Sequence, residues 1–161
     1  MRFDTDIPDE HKKLKELILY ISEKCREHKR FGATKLNKIL FFADFIAYKK
    51  FGQSITGEEY FKLEKGPAPR LLMPVREELV NTGDLELVES KVYQYTETRT
   101  IPKRKANTSF FTEDQLSLVD NIIEELKDKD AEEVSELSHK FYGWKIAGDK
   151  EIIPYEAVFL K

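Results

Sequence analysis

Three histidines are the side chains of this sequence that could serve most readily as general bases or metal ligands. His11, His28 and His139 are far apart, and none has the short spacing of a metal-binding motif such as HExxH. Ser138 directly precedes His139, but a serine and a histidine that are neighbours in sequence do not form a nucleophile–base pair. The histidines therefore predict no metal site, and a hydrolase using His139 stays only as an alternative that needs a nearby carboxylate or thiol.

The other reactive side chains are one cysteine and two pairs of adjacent glutamates. Cys25 falls on the apolar stripe of a predicted helix, where a buried thiol is unreactive. Glu58-Glu59 and Glu132-Glu133 do not face each other in a strand or a helix, so they make no paired acid/base site. No glycine-rich phosphate loop occurs. These residues therefore support neither a reactive thiol, nor a paired acid/base site, nor a phosphate-binding loop.

A basic run, Lys103-Arg104-Lys105, follows a predicted β-hairpin and could bind nucleic acid. With the helix before the hairpin, this order resembles the recognition helix and wing of a winged-helix DNA-binding protein. That helix carries Arg70 and Arg76 but also Glu77 and Glu78, whose carboxylates would repel phosphate. A winged-helix regulator is therefore kept as the alternative function, and a solubilising loop is the simpler interpretation of the run.

The composition is that of one cytoplasmic domain. The chain has 161 residues, 40% hydrophobic and 35% charged, with a net charge of −3, and residues 1–161 are expected to form a single domain. One cysteine allows no intrachain disulfide, the N-terminus lacks the apolar core of a signal peptide, and no stretch is apolar enough to span a membrane. The charge is uneven: residues 11–50 carry +7 and residues 112–138 carry −8, which is typical of two solvated faces or of a dipolar surface.

The first half of the chain predicts two helices. Apolar residues recur at helical spacing from Pro8 to Lys29. A second helix runs from Lys35 to Phe51, with Thr34 as its N-cap and Gly52 as its end. Because this second helix is apolar on nearly every side, it is predicted to be the buried central helix of the domain.

A rigid corner is predicted after these helices. Residues 59–65 alternate like a short strand, and Gly66-Pro67 then turns the chain. Pro69 suits the first turn of a helix, although Pro74 would be costly in a helix interior, so that helix is expected to begin near Met73. The run Asn81-Thr82-Gly83 ends it.

The second half predicts a hairpin, two capped helices and a docked tail. Two β-rich runs, residues 85–88 and 93–95, are separated by Glu89-Ser90-Lys91. Thr112 with Gln115, and Asp130 with Glu133, have the spacing of capping boxes. The apolar residues 152–160 are expected to pack on the core. The predicted fold class is α+β: a mainly helical domain around a central buried helix, with a small antiparallel β-sheet.

The aromatic residues exceed what one small core accommodates. Most are expected inside, and the remainder would form an exposed apolar patch, which on a soluble protein tends to mark a binding site for a partner. The cluster comprises Phe41, Phe42, Phe45, Tyr48, Phe51, Tyr60 and Phe61.

The order of several motifs resembles the Panacea domain, also called the SocA-like antitoxin family. The second helix begins Lys-Leu-x-Lys-Ile-Leu-Phe-Phe-Ala from Lys35 to Ala43, a strand ends at the Gly66-Pro67 corner, and Leu137-Ser138-His139 is followed by Trp144. The similarity spans nearly the whole chain. The chain departs from the family pattern between Pro69 and Pro74, where relatives usually have valine after the Gly-Pro and lack the second interior proline.

The resemblance implies an antitoxin of a bacterial or phage toxin–antitoxin pair. Such a protein binds its cognate protein toxin, usually encoded by an adjacent gene, without catalysis, metal or cofactor, and either blocks the toxin or delivers it to a cellular protease. Gly66, Pro67, Ser138, His139 and Trp144 are then residues of a structural motif. The expected toxin-binding surface combines Lys35, Lys38, Phe42, Tyr60, Lys62, Lys65 and Arg70.

Overall fold

The first helix packs one apolar stripe into the core. The computed structural model describes residues 9–63, 66–92, 95–139 and 151–159. Helix α1 spans Asp9–Lys24 and buries Leu14, Leu17, Ile18 and Ile21, which recur at helical spacing. The predicted end at Lys29 is wrong, because the guanidinium of Arg99 donates hydrogen bonds to the carbonyl oxygens of Arg26 and His28 and holds that segment as a turn.

The central helix is confirmed. Helix α2 spans Ala33–Phe51, and ten of its side chains are buried. Gly52, with a φ of 79°, ends it and donates its N–H to the carbonyl oxygen of Tyr48 at 2.9 Å. The predicted N-cap was wrong: Gly32 has the extended backbone of an N-cap and accepts from the Leu36 N–H at 3.0 Å, so Thr34 is already helical.

The corner after α2 is a β-hairpin. Strand β1, Tyr60–Leu63, pairs antiparallel with β2, Gly66–Pro69, so Pro69 ends a strand and does not lie in the first turn of a helix, as its sequence context had suggested. The β-ladder continues one residue further, since Arg70 N–H donates to the Glu59 carbonyl oxygen at 2.8 Å. Both prolines are tolerated because β2 lies at an edge of its sheet, whose strand order is β2-β1-β5.

The helix after this hairpin begins where the sequence predicted. Helix α3 spans Leu72–Asn81, close to the expected start at Met73, and buries Leu72, Val75 and Leu79. Pro74 is its third residue, where a backbone N–H would have no intrahelical acceptor. Pro74 therefore avoids the free-energy cost that a proline has in a helix interior.

A second, longer hairpin follows α3. Strands β3, Leu85–Val92, and β4, Tyr95–Pro102, pair antiparallel along their whole length. The predicted break at Glu89-Ser90-Lys91 is wrong, since these residues pair with Thr98, Glu97 and Thr96. They are exposed strand residues, and a polar, solvent-facing strand has the same composition as a turn. A short 3₁₀ helix, η1, Thr108–Phe110, then leads on to the next helix.

The last elements include both predicted capping boxes. Helix α4 spans Glu113–Leu126, with reciprocal hydrogen bonds between Thr112 and Gln115. Helix α5 spans Ala131–His139, with the same pair of bonds between Asp130 and Glu133. Strand β5, Ile152–Ile153, pairs antiparallel with β1, and the 3₁₀ helix η2, Tyr155–Phe159, follows. The tail docks through Ile153 and Ala157, which are buried.

The architecture is α+β and mainly helical, as predicted. Helix α2 contacts α1, α4, α5, β2, β4 and η2, so it is the element around which the described residues pack. Among those residues, no helix combines the length and apolarity that a membrane crossing would need. Trp144 and Lys65 fall outside the described residues.

Candidate functional site

Lys35 is a buried structural cation. Its side chain is 3% exposed, and its ammonium donates to the carbonyl oxygens of Arg30, Lys127 and Lys129 at 2.9, 2.9 and 2.7 Å. Lys127 is the C-cap of α4, where carbonyl groups lack intrahelical donors and the helix dipole favours a cation. Burial lowers the pKa of this amine. All three N–H donors are used inside the fold, so the expectation that Lys35 faces a toxin is corrected.

Lys38 ties α2 to the hairpin corner. It is 1% exposed, and its ammonium donates to the carbonyl oxygen of Pro67 at 2.7 Å. A proline at an edge still offers its carbonyl, and this buried acceptor requires a donor. The expectation that Lys38 is a surface residue is therefore also wrong, because it lies between α2 and β2.

Gly66 and Ser138 complete this contact. Gly66 has a φ of 117°, and a Cβ there would lie 2.4 Å from Ser138 Oγ and 2.9 Å from Lys38 Cε. Ser138 is fully buried and donates its hydroxyl to the Ser135 carbonyl oxygen at 2.8 Å. We call Lys38, Gly66, Pro67 and Ser138 the motif cluster. It brings three distant sequence motifs together where α2, β2 and α5 meet.

Tyr60 belongs to a second buried polar group. Its side chain is fully buried, and its hydroxyl lies 2.6 Å from Asp44 Oδ2 and 2.8 Å from the Leu40 carbonyl oxygen. Asp44 also accepts from the backbone N–H groups of Ile55 and Thr56 and from the Thr56 hydroxyl. Burial raises the pKa of Asp44, and these four donors oppose that shift. Tyr60 is thus an internal anchor for the loop after α2, which corrects its predicted place on the binding surface.

A polar hollow lies beside this group. Its volume is about 260 Å³, and its lining includes His11, Glu58, Glu59 and Arg70. His11 Nδ1 lies 2.7 Å from the buried Glu58 carboxylate, and Arg70 donates to Glu59 at 3.0 Å. The contact between His11 and Glu58 ties α1 to the segment before β1, and the contact between Arg70 and Glu59 ties the two strand ends together.

The reactive side chains form no catalytic arrangement in the described part of the chain. Ser138 is buried and bonded to its own helix, and the His139 side chain lies outside what the structure describes. Burial raises the pKa of the Cys25 thiol to about 12, so it remains protonated. No group of three or more His, Cys, Asp or Glu side chains that could hold a metal occurs among the described residues.

Two of the three cations in the basic run after β4 are paired with carboxylates within the fold. Arg104 forms a bidentate pair with Glu16 at 2.8–2.9 Å and lies 3.3 Å from Asp84, and Lys103 lies 3.6 Å from Glu86. Helix α3 exposes Glu77, and the exposed face of β3 carries Glu86 and Glu89. Carboxylates therefore lie among the cations of this surface, which disfavours the winged-helix alternative because they would repel phosphate.

The remaining residues of the expected binding surface lie on or near the surface. Arg70 is exposed, whereas Phe42 and Lys62 are half-buried. Phe41, Phe45 and Tyr60 form the aromatic core, with ring centroids 4.6 to 6.0 Å apart. The aromatic excess emerges elsewhere, at Tyr48, Phe51 and Phe159 around the C-terminal end of α2. The sequence did not indicate that Phe159 is exposed, because the apolar tail was expected to pack on the core. Tyr48 and Phe51 could be anticipated, since they flank two lysines in the run Tyr48-Lys49-Lys50-Phe51.

Comparison with known proteins gives one match. A family model described as "Antitoxin SocA-like, Panacea domain" matches residues 36–145, about two thirds of the chain. This segment contains the whole motif cluster, and it extends from the start of α2 past the end of α5. No curated protein and no solved structure matches the chain.

Proposed function

Because the chain belongs to the SocA-like antitoxin, Panacea domain family, we propose that it is an antitoxin that neutralises a cognate protein toxin by binding it directly. It acts in the cytoplasm of a bacterium or of a phage-infected cell, without chemical conversion of a substrate. The toxin is the product of an adjacent gene.

The observation that carries the proposal is the family match over residues 36–145. The motif cluster in this segment supports it, because a reaction centre needs side chains open to substrate, and Lys38 and Ser138 are buried. Their contacts stiffen the junction of α2, β2 and α5 instead. A surface held rigid before binding loses little conformational entropy when a partner docks, which favours tight binding.

The binding surface proposed from the family motifs is reduced to its outward-facing members. Arg70 is exposed after β2, Lys62 is half-buried on β1, and Phe42 is half-buried on α2. Lys38 and Tyr60 hold β2 and β1 to α2 behind this surface, whereas Lys35 ties α2 to the end of α4.

The proposal is tested by co-expression. The adjacent gene is induced alone and together with this chain in the same host, with an unrelated cytoplasmic protein of similar size as the matched control. Growth arrest that this chain alone relieves, together with co-purification of the two proteins, is the expected result. A harmless neighbouring product, or arrest that this chain leaves unrelieved, would contradict the proposal.

The amount of toxin in the rescued cells separates blocking from delivery to a protease. We propose blocking, because the motif cluster stiffens the junction of α2, β2 and α5 beside the proposed binding surface. Immunoblots should then show a toxin level that is unchanged or raised upon rescue. A level that falls upon rescue, and recovers in protease-deficient cells, would favour delivery.

A further inference from the structure

The C-terminal end of α2 exposes an aromatic surface. Phe51 is 46% exposed and Phe159, on η2, is 56% exposed. The Tyr48 ring connects them, since its centroid lies 6.0 Å from that of Phe159 and Phe51 follows it by one helical turn. We call Tyr48, Phe51 and Phe159 the aromatic end. Single exposed apolar residues are common on protein surfaces, but adjoining exposed aromatics tend to mark binding sites.

The aromatic end is continuous with the core. The Tyr48 ring stacks on Tyr155 with centroids 5.5 Å apart, and Tyr155 contacts the buried Phe45 at 4.6 Å. The Tyr155 hydroxyl also donates to the carbonyl oxygen of Glu58. Aromatic side chains fixed in this way offer a large apolar contact and lose little conformational entropy on binding. The residues that dominate the binding energy of protein interfaces share these properties.

Two exposed lysines and one carboxylate flank the aromatic end, so their summed charge is positive. Lys49 and Lys50 are exposed, and neither forms an ion pair with any described residue. Helix C-termini favour a cation, so position alone accounts for some of this charge. The carboxylate in contact with the aromatic end, that of Glu156, accepts a hydrogen bond from the Tyr48 hydroxyl at 3.2 Å. Two exposed ammonium groups next to exposed rings complement a partner with carboxylates around an apolar side chain.

We propose that the toxin docks on the aromatic end, through a segment in which an apolar side chain is flanked by carboxylates. This inference rests on the proposed antitoxin function and adds the surface and the chemistry of the partner. A second copy of this chain could also present carboxylates, from Glu132, Glu133 and Glu136 of α5. Such a contact would join two different surfaces of the chain, so it would build an open filament and would not close into a dimer. We therefore infer that the occupant of the aromatic end is the toxin.

The test measures binding kinetics with the product of the adjacent gene, made by cell-free translation and immobilised. The double variant Phe51→Ala/Phe159→Ala should raise the Kd about tenfold or more, mainly through faster dissociation. Lys49→Glu/Lys50→Glu should slow association about tenfold at low salt and less at high salt, because exposed charges act at long range and are screened.

Matched controls carry the same chemical changes elsewhere. Met73→Ala removes an equally exposed apolar side chain from α3, and Lys29→Glu/Lys105→Glu changes the net charge by the same amount at two exposed positions. Both controls should bind and rescue like the wild-type chain. Circular dichroism and thermal unfolding should show that every variant keeps the fold.

The outcomes separate the two proposals. Rescue and binding by the wild-type chain, with no change in the aromatic variant, would overturn this surface and leave the antitoxin function standing. Faster association of the Lys49→Glu/Lys50→Glu variant would overturn the acidic partner. Self-association that the aromatic variant abolishes, with toxin binding intact, would assign the surface to a second copy. A wild-type chain that neither binds nor rescues would overturn both proposals.

Discussion

The ammonium of Lys38 lies 2.7 Å from the carbonyl oxygen of Pro67, inside the protein. The contact joins the central helix to the edge strand of the small sheet, which are 29 residues apart in sequence. It explains how a lysine can be buried on the central helix. Proline removes a donor from the strand but leaves an acceptor, and the lysine supplies its donor.

Replacing Lys38 by methionine should therefore destabilise the protein. Methionine fills similar space but leaves the Pro67 carbonyl oxygen without this donor, and an unsatisfied buried acceptor costs about 1–3 kcal/mol. Urea unfolding should show a lower midpoint with an unchanged slope. Lys50→Met, at an exposed position on the same helix, is the control and should change stability by less than about 0.5 kcal/mol. Equal midpoints for the two variants would contradict the role of Lys38.

Gly66→Ala should be more damaging than the same change at another glycine with positive φ. At Gly66 the new methyl group would lie 2.4 Å from Ser138 Oγ, whereas at Gly57, with a φ of 74°, it would meet no atom within 4 Å. Backbone strain of about 1–3 kcal/mol applies to both positions, and overpacking adds a similar amount only at Gly66.

A double-mutant cycle isolates the steric part of that effect. Ser138→Ala removes the oxygen that the new methyl group would meet, so the double variant should be more stable than the sum of the single effects predicts. Thermal unfolding measures all four proteins of the cycle. Strict additivity would show that the contact with Ser138 does not make the glycine necessary, and would leave backbone strain and the 2.9 Å approach to Lys38 Cε as the reasons.

The sequence predicted elements that local chemistry determines. The capping boxes at Thr112 and Asp130 and the end of α2 at Gly52 follow from hydrogen bonds within a few residues. The hairpin β3–β4 was misplaced because its middle, Glu89 to Lys91, is exposed, and exposed strands lack the alternating pattern that identifies a strand. Pro69 was misassigned because its pairing with Tyr60 is a tertiary contact.

The site was harder to predict than the fold. Lysine is rarely buried, so Lys35 and Lys38 were expected on the surface. Their acceptors are carbonyl groups up to 94 residues away, at the end of α4 and in β2, and no local pattern indicates them. Tyr60 was misplaced for the same reason, since Asp44, its partner, lies on the preceding helix.

Glu16→Gln should destabilise the protein at neutral pH and matter less in acid. Burial would raise the pKa of Glu16, but the bidentate contact with Arg104 and the Asn107 N–H hold that pKa below its usual value. The folded state thus favours the carboxylate. Its stabilisation is complete above the unfolded pKa of about 4.3 and is lost as the pH falls through the lower folded value.

At pH 7 the loss should be about 1–2 kcal/mol, since one partner of a charge-assisted contact is neutralised. The difference from the wild-type protein should shrink as the pH falls below the unfolded pKa of about 4.3, because the unfolded chain then binds a proton that the native carboxylate still resists. Glu23→Gln, which alters an exposed pair with Arg26 three residues along, should change stability by less than about 0.5 kcal/mol at either pH. A Glu16→Gln penalty that is independent of pH would contradict the ionised contact.

Lys62→Glu tests the surface proposed from the family motifs. Lys62 lies on β1, which pairs with β5, and β5 leads directly into η2. A partner that covers both the aromatic end and the β1–β2 hairpin would therefore pass close to Lys62. An acidic partner should then bind about tenfold more weakly and associate more slowly, because the reversed charge repels it. Lys105→Glu, exposed in the loop after β4, is the control and should bind like the wild-type protein. The measurement is association of each variant with the toxin at two salt concentrations. Full neutralisation by a folded Lys62→Glu protein would exclude the hairpin from the interface and confine docking to the end of α2.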